Sequence, residues 1–466
     1  MKKISLLLLM AVTLFSCTKD ILYNDYVQLD RTSYTFDAKG EDVFNVTVKT
    51  NNEAAWEAKI VEGDWIQFSQ EGNVLVITAA ENTSTEERTA AIEVISGTAT
   101  AKISLNQMPF GFSGRFVDFP LTSKGAISKN GLYAGYVDYT LKGNDFVYYA
   151  KIHNTLTGEI SEVEVPVISG HGSKKDYYNG ITFISNDGKT IMFHHDGHAR
   201  TAVVKDGKEI ELTAPEGFTN PKGMAMNGDG SVIVGNCITN DSDRMNTPVI
   251  WKNGTPQVLD MPEFIANGKP MPINGIYTRG CSEDGSVVYG SEWKLYGLIY
   301  WKNGEMMDMG SKYAEPVDDG KNGSTALIQQ TSTTTNVSPN GKFIAAYYNA
   351  VGGGSMGGLF YPVVINTETG EATIYEEHIG YMGMHAANDG TIFVARQMAS
   401  TGSAVIDYKT GELKSVTEWT KEKYGVSLPD TRFVTGTNEE GNVLFGMKLF
   451  PNSGGALTPG WFLRID

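Results

Sequence analysis

The chain has 466 residues and a formal net charge of −16, from 54 acidic and 38 basic side chains, which excludes a protein that binds nucleic acid through a basic face. Its 52 glycines, 11% aromatic and only 20% charged residues also exclude a disordered chain and a long coiled coil. This composition favours an all-β protein of two to four domains, in which tight turns join short strands.

The first residues predict a targeting segment. Lys2 and Lys3 precede an apolar stretch at 6–15, which is short for a spanning helix but typical of a signal peptide. The Ser16-Cys17 pair behind it resembles the lipobox of bacterial lipoproteins. The resemblance implies that 1–16 is a signal peptide, that Cys17 carries the lipid anchor, and that 17–26 is a tether. The protein would then be an outer-membrane lipoprotein, periplasmic or at the cell surface; an ordinary secretory signal is the alternative.

Residues 27–108 alternate apolar and polar side chains with a period of two, which predicts a small immunoglobulin-like β-sandwich. Several motifs in this segment resemble the BACON family (Bacteroidetes-associated carbohydrate-binding, often N-terminal). They are Trp56, Asp64-Trp65-Ile66, Asn82-Thr83-Ser84, Arg88 and Gln107. The resemblance implies carbohydrate binding, or a spacer that holds a second domain away from the membrane. Because Trp56 and Trp65 lie in strand-like runs, core packing is favoured for both over sugar stacking.

Residues 114–466 repeat a unit of two hairpins. The first hairpin of each unit turns at a glycine, and these glycines (131, 188, 230, 285, 341, 390 and 441) lie 57, 42, 55, 56, 49 and 51 residues apart. Asn or Asp precedes the glycine in most units, which predicts two-residue turns in which both residues adopt positive φ. Four strands per unit of about 50 residues are typical of a β-propeller blade. The units resemble TolB and WD40-like repeats, best at Ser338-Pro339-Asn340-Gly341.

The seventh unit stops after its third strand, so we expect residues 114–120 to supply the fourth strand and close a seven-bladed ring. The first and second hairpin turns should share one face of the ring. The opposite face should carry the long connections, which include 137–146, 166–180, 237–247, 263–277, 311–332, 349–359 and 448–459. Connections of this length are uncommon unless they are functional, so we expect the ligand-binding surface on that face.

Aromatic, amide and charged residues on this face suit a sugar-like ligand, through ring stacking and hydrogen bonds. The predicted ligand-binding residues are Tyr177, Tyr178, Asn179, His195, His198, Arg244, Tyr277, Arg279, Trp293, Tyr296, Tyr348, Tyr381, His385 and Arg432. Arg279, His385 and Arg432 are expected at the start of inner strands, beside the central channel. Packing between blades and pairing with surface acids are the alternatives for each residue.

The sequence contains only weak indications of a metal site or a catalytic site. His194-His195-Asp196-Gly197-His198 has the composition of a metal site, but Asp196-Gly197 also fits a tight turn, and no metal or other cofactor is expected. A calcium site at Asp241 and Asp243 is equally weak. Cys237 and Cys281 are expected to be buried thiols rather than a disulfide.

Three hypotheses remain open. The first is a lipid-anchored monomer that binds a carbohydrate or a partner envelope protein, and not nucleic acid. The second is a propeller-type polysaccharide lyase or glycoside hydrolase that uses Arg279, His385 and a carboxylate. The third is a scaffold for other proteins. Binding is favoured over catalysis.

Overall fold

The computed structural model describes residues 25–465, apart from segments at 52–54, 85, 111–113, 120–124, 143–144, 169–176, 179, 196–199, 242–244, 264, 267–268, 271–274, 293–294, 318–324, 332–335, 352–358, 397–400 and 449–459. The predicted signal peptide, Cys17 and most of the tether therefore lie outside the described residues. Within them, no helix has the length and apolar character needed to cross a membrane.

Eight strands form a two-sheet sandwich at the start of the described chain. They are β1 (Val27–Leu29), β2 (Ser33–Phe36), β3 (Phe44–Thr50), β4 (Glu57–Glu62), β5 (Ile66–Glu71), β6 (Val74–Ala79), β7 (Arg88–Ser96) and β8 (Ala99–Gln107). The sheet orders are β1-β3-β6-β5 and β2-β8-β7-β4, and β2 runs parallel to β8. Alternate residues of β3 are buried, as the period of two predicts. Trp65 is buried in the shared core and donates a hydrogen bond to the carbonyl of Thr89 (2.9 Å), and Trp56 packs against this core.

The rest of the chain folds into seven consecutive sheets. The strands of the first three are β10 (Gly125–Ile127), β11 (Tyr133–Lys142), β12 (Asp145–Asn154), β13 (Ile160–Glu164), β14 (Gly180–Ile184), β15 (Thr190–His195), β16 (Arg200–Lys205), β17 (Lys208–Ile210), β18 (Phe218–Met226), β19 (Val232–Thr239), β20 (Asn246–Lys252) and β21 (Thr255–Val258). A separate pair, β22 (Ile265–Ala266) and β23 (Lys269–Pro270), follows. In each sheet, neighbouring strands in sequence pair antiparallel.

The fourth to seventh sheets complete the series. Their elements are β24 (Ile276–Cys281), β25 (Val287–Glu292), β26 (Leu298–Lys302), β27 (Glu305–Asp308), α1 (Met309–Lys312), β28 (Glu315–Pro316), β29 (Thr325–Gln329), β30 (Phe343–Asn349), β31 (Phe360–Asn366), β32 (Glu371–Ile374), β33 (Tyr381–Ala386), β34 (Ile392–Arg396), β35 (Ser403–Ile406), β36 (Leu413–Ser415), α2 (Val416–Tyr424), β37 (Arg432–Thr437), β38 (Val443–Lys448) and β39 (Gly460–Ile465). The fifth sheet is β28-β29-β30-β31-β32, so it has one strand more than the expected four.

An early strand closes the ring, as the sequence predicts. Strand β9 (Gly114–Asp118) pairs antiparallel with β39, with Val117 opposite Phe462. Apolar clusters join every pair of neighbouring sheets, including the seventh and first, where Phe462 and Val443 pack with Ile127. Burial of each apolar sheet face against the next sheet holds the ring together.

The first hairpin turns differ from the prediction. Only the glycine has positive φ, from 70° to 90° in the seven turns, and the preceding Asn or Asp does not. In the first turn, Asn130 Oδ1 accepts a hydrogen bond from the backbone N–H of Leu132 (3.0 Å), and Ser128 Oγ donates to the same oxygen (2.7 Å). These bonds make the turn longer than two residues. The predicted two-residue form occurs in second hairpins, where both Asn253 and Gly254 have positive φ.

Several connections contain more structure than the sequence suggested. The expected loop at 137–146 is largely strand, because β11 and β12 pair up to Lys142 opposite Asp145. The all-β prediction also missed α2, between the sixth and seventh sheets. Its capping box, Ser415 with Glu418, and the left-handed Gly425 at its end are recognisable helix boundaries.

Candidate functional site

The two ends of the ring are named here by their connections. The turn end carries the first hairpin turns at glycines 131, 188, 230, 285, 341, 390 and 441, and the loop end is the opposite one. The strand that precedes the first hairpin turn of each sheet is its inner strand: β10, β14, β18, β24, β29, β33 and β37. In the fifth sheet, Val337 also bridges Ile344 of β30. At the turn end, the Lys129 Nζ of the first sheet donates a hydrogen bond (2.6 Å) to the carbonyl of Cys281 in the fourth sheet. A contact between these two distant sheets places the inner strands around a common central opening.

A bulge recurs at one position of the inner strands. It falls at Thr182, Met224, Arg279, Met384 and Thr435, each six residues before the turn glycine of its sheet. A glycine of the second strand often faces this bulge. A Cβ at Gly290 would overlap the carbonyl oxygen of Tyr277, and Gly235 and Gly446 are in the same position relative to Lys222 and Phe433. The glycines therefore permit the close approach that the bulge needs.

In the fourth sheet, two side chains at the bulge are more exposed than their neighbours. Thr278 and Cys281 are fully buried, whereas Tyr277 and Arg279 are half-buried. The guanidinium of Arg279 lies 5.8 Å from the centre of the Tyr277 ring. Its Nε is buried and has no hydrogen-bond partner among the described residues. Burial lowers the pKa of Arg279, against the opposing effect of Tyr289, Tyr277 and Tyr296.

Residues of the neighbouring sheets complete this group. Lys222 of β18 is also half-buried; burial and then the charge of Arg279 lower the pKa of its amine. Tyr296 lies between the second and third strands of the fourth sheet, is 39% exposed, and has a positive φ of 59° that is rare for a tyrosine. Tyr347 of β30 interacts electrostatically with Tyr296, and burial raises its pKa to about 12. We call Lys222, Tyr277, Arg279, Tyr296 and Tyr347 the arginine–tyrosine cluster.

Buried hydrogen bonds hold the inner strands beside this cluster. Asn236 of β19 donates from Nδ2 to the carbonyl of Ile276 (2.6 Å), and its Oδ1 accepts from the backbone N–H of Thr278 (3.3 Å). The hydroxyl of Tyr289 accepts from the backbone N–H of Asn336 in the fifth sheet (2.9 Å). The Asn236 bonds fix the strand on both sides of Tyr277, and Tyr289, which lies opposite Gly280, ties the fourth sheet to the fifth.

The structure does not bring the other predicted residues together with this group. His385 is 2% exposed, and its Nε2 accepts from the backbone N–H of Thr437 (3.1 Å), so it packs between the sixth and seventh sheets rather than beside the channel. Arg432 is also buried, and its guanidinium lies 5.8 Å from the Phe116 ring centre, away from the central opening. No contact joins Arg279 to His385 among the described residues, so the structure adds no support to the hypothesis that both take part in catalysis with a carboxylate.

The remaining predicted tyrosines have local packing roles. Tyr178 is buried in the apolar cluster between the first and second sheets, and Tyr177 stacks on Tyr148 at 5.1 Å. Arg396 lies over the Tyr381 ring at 5.1 Å. Burial and then Glu315 raise the pKa of Tyr348 to about 12. His195 ends β15 and is half-buried. Asn179, His198, Arg244 and Trp293 lie outside the described residues.

No group of three or more His, Cys, Asp and Glu side chains that could hold a metal occurs in the described part of the chain. Thr239 Oγ1 donates to Asp241 (2.7 Å), whereas Asp243 lies outside the described residues. Cys237 and Cys281 are free, buried thiols, as expected. Burial raises the pKa of Cys237 to about 11, so neither cysteine has the features of a reactive thiol.

A second concave region lies between the sandwich and the ring. This cleft has a volume of about 750 Å³, and its lining includes Arg31 of the sandwich and Arg115, Lys151 and His153 of the ring. Burial, followed by the charges of Arg31, Lys151 and Arg115, lowers the pKa of His153 to about 4. Lys151 forms an ion pair with Asp138 (2.8 Å), and Asp42 accepts a hydrogen bond from Tyr34. Acidic groups therefore already balance part of the positive charge of this cleft.

Residues 54–108 match the BACON family, whose description is "Putative binding domain, N-terminal". Among solved structures, the chain is similar to an acylaminoacyl peptidase from Pyrococcus horikoshii, with 14% identity, a TM-score of 0.38, and coverage of 71% of this chain and 49% of that chain. It is also similar to a quinonprotein alcohol dehydrogenase-like protein from Bacteroides thetaiotaomicron, with 10% identity, a TM-score of 0.28, and coverage of 82% and 92%.

A puromycin-hydrolyzing peptidase from Mycobacterium tuberculosis matches with 10% identity, a TM-score of 0.31, and coverage of 72% of this chain and 51% of that chain. The chain thus spans about half the length of the two peptidases. No curated protein sequence matches this chain significantly. Similarity at these levels carries no argument about function, which rests on the site itself.

Proposed function

We propose that this protein is a lipid-anchored protein of the cell envelope that binds a carbohydrate at the loop end of a seven-bladed, TolB/WD40-like propeller. Cys17 would carry the anchor at the outer membrane, on the periplasmic side or the cell surface, and the BACON-like sandwich would be the spacer or a second binding module. The lipobox resemblance and the BACON match at 54–108 support this placement.

One observation carries the binding proposal: in the arginine–tyrosine cluster, Lys222 of the third sheet and Tyr277 and Tyr296 of the fourth interact with the Arg279 guanidinium, and Tyr347 of the fifth sheet interacts with Tyr296. Half-buried Tyr277 and exposed Tyr296 provide ring faces for stacking, while Arg279 provides several hydrogen-bond donors for hydroxyl oxygens. Concave sites with a few convergent polar groups among aromatic rings are the usual form of small-ligand sites.

The described inner strands do not favour hydrolysis. Hydrolysis of glycosides ordinarily uses two carboxylates that flank the scissile bond. Yet the sequences of all seven inner strands lack Asp and Glu. Binding is therefore the function that these residues support best.

The proposal is tested by screening the full-length protein against immobilised plant and microbial polysaccharide fragments, followed by calorimetry on the best ligand. Tyr296→Ala and Tyr277→Ala should each weaken binding about tenfold, because each removes a stacking surface worth more than about 1 kcal/mol. Tyr26→Ala, which removes a 49% exposed ring from the sandwich, is the matched control and should bind normally.

An equal loss of affinity in Tyr26→Ala and the two cluster variants would show that the carbohydrate does not bind specifically at the arginine–tyrosine cluster. Release of unsaturated sugars, seen as new ultraviolet absorbance, would show a polysaccharide lyase. Co-purification of an envelope protein, with no carbohydrate bound, would favour the scaffold function.

A further inference from the structure

We infer that the loop end of the central opening recognises the carboxylate of an acidic sugar, and that Arg279 and Lys222 bind this group. The inference rests on the proposed function and names the class of carbohydrate: a chain that contains uronic acids. Three observations support it: the charge balance of the inner strands, the environment of the two cations, and the tyrosines near them.

The charge of the inner strands is opposite to that of the whole protein. The chain carries a net charge of −16, yet the inner strands contain no Asp or Glu, and their charged residues are Lys222, Arg279 and Arg432. Arg432 is directed to the Phe116 ring, so Lys222 and Arg279 are the cations that remain near the opening. The aspartates of the hairpins, such as Asp284, lie at the turn end.

These two cations lack acidic partners. Among the described residues, neither Arg279 nor Lys222 forms an ion pair with a carboxylate, and the charge of Arg279 contributes to the lowered pKa of Lys222. Removing a charge from water is costly unless an opposite charge compensates for it. A protein that holds two like charges together, one with a buried Nε that has no hydrogen-bond partner, is arranged for an anion supplied from outside.

The geometry selects a planar anion on a ring-shaped ligand. A guanidinium binds a carboxylate through two parallel hydrogen bonds, and an ammonium adds a point charge without a preferred plane. The Tyr277 ring centre lies 5.8 Å from this guanidinium, and Tyr296 interacts with it electrostatically, so both rings are close enough to contact the same ligand. A pyranose with a carboxylate on its ring would use both elements at once, whereas an inorganic anion would use only the cations.

The Lys129 amine at the turn end is a cation of the same opening whose hydrogen bond is made within the protein. Its Nζ donates to the carbonyl of Cys281 and lies 5.8 Å from the Phe183 ring centre. Because that group already has a partner across the opening, the anion site is assigned to the level of Arg279 and Lys222.

The test compares an oligogalacturonide with its methyl ester, which keeps the sugar backbone and removes the negative charge. By calorimetry on the full-length protein, the acid should bind at least about tenfold more tightly than the ester, and added salt should reduce this preference. Arg279→Gln should abolish the preference, and Lys222→Gln should reduce it. Arg396→Gln is the matched control, because it removes an arginine that packs on Tyr381 in the sixth sheet.

Equal binding of acid and ester to the wild-type protein would overturn the inference and leave carbohydrate binding intact. Retention of the preference in both Arg279→Gln and Lys222→Gln, with both variants folded by circular dichroism, would also overturn it. If neither form binds, sulfate is the remaining probe: a rise in melting temperature that Arg279→Gln abolishes supports the anion site despite failure of the proposed function. No rise would overturn the inference as well.

Discussion

The turn end and the loop end of the ring are formed by the same strands, yet they satisfy their polar groups in different ways. At the turn end, neighbouring first hairpins bond to one another: the backbone N–H of Gly228 donates to the carbonyl of Glu283 (2.8 Å), and that of Glu283 donates to the carbonyl of Pro339 (2.8 Å). On the loop side of these turn-end contacts, Arg279 and Lys222 have no acidic partner among the described residues.

The difference separates stability from binding. Asn186 shows the first case, since it accepts from the backbone N–H of Asn130 (3.0 Å), donates to the carbonyl of Gly228 (2.6 Å), and donates to the Glu283 carboxylate (2.8 Å). A group whose hydrogen bonds are all made within the protein stabilises the fold. Polar groups that are held in place without partners are available to a ligand, so we expect substitutions at the two ends to have separable effects.

The largest expected effect comes from a substitution that affects both properties. In Gly290→Ala, the new Cβ would overlap the carbonyl oxygen of Tyr277 and displace the bulge that positions Arg279. Overpacking of this kind should destabilise the fold by about 1–3 kcal/mol in urea unfolding, and carbohydrate binding should weaken. In Gly223→Ala, the added methyl would meet only the ends of the Leu212, Ile233 and Met192 side chains, so its effect should be smaller. Equal losses in the two variants would contradict the role of the bulge.

An intermediate effect is expected at the turn end alone. Asn186→Ala removes hydrogen bonds to the first and fourth sheets and should lower the free energy of unfolding by about 2 kcal/mol. Carbohydrate affinity, measured by calorimetry below the unfolding transition, should not change. Asn388→Ala, which removes one bond from the backbone N–H of Asn340 (2.9 Å) and one to the carbonyl of Glu439 (3.2 Å), should cost less. A loss of affinity in Asn186→Ala would show that the two ends are coupled.

The smallest effect concerns one charge at the turn end. Hydrogen bonds from the hydroxyl and backbone N–H of Ser231 lower the pKa of Asp229, so its charged form stabilises the folded state above pH 4. This contribution disappears as the pH falls through the lowered pKa. Asp229→Asn keeps the turn sequence found at Asn340-Gly341 and should cost a few tenths of a kcal/mol at neutral pH, because the side chain is exposed. Urea unfolding of the wild-type protein and the variant at pH 7 and pH 3 measures this cost. An equal difference in their free energies of unfolding at both pH values would exclude the charge of Asp229 as its cause.

Part of this architecture could be predicted from local patterns. The alternation around Phe44 to Val48 marks a sandwich strand, and the spacing of glycines from Gly131 to Gly441 marks the repeating sheets. The closing pair of β9 with β39 follows from the incomplete last unit. A local signal was also available for the site, since Arg279 is six residues before Gly285, where the other units carry Thr, Met or Gly. The turn geometry was missed, because the Asn130 side chain bonds to the backbone instead of allowing positive φ at that residue.

The sequence alone determined the order of strands, the positions of the turns and the ring closure, since these depend on residues that are close along the chain or on the count of repeats. The tertiary structure decided which candidates share a site: it brought Lys222 of one sheet to Arg279 of the next, and it buried His385 against Thr437. The physical reason is that burial and charge balance are properties of an environment, formed by residues that are far apart in sequence.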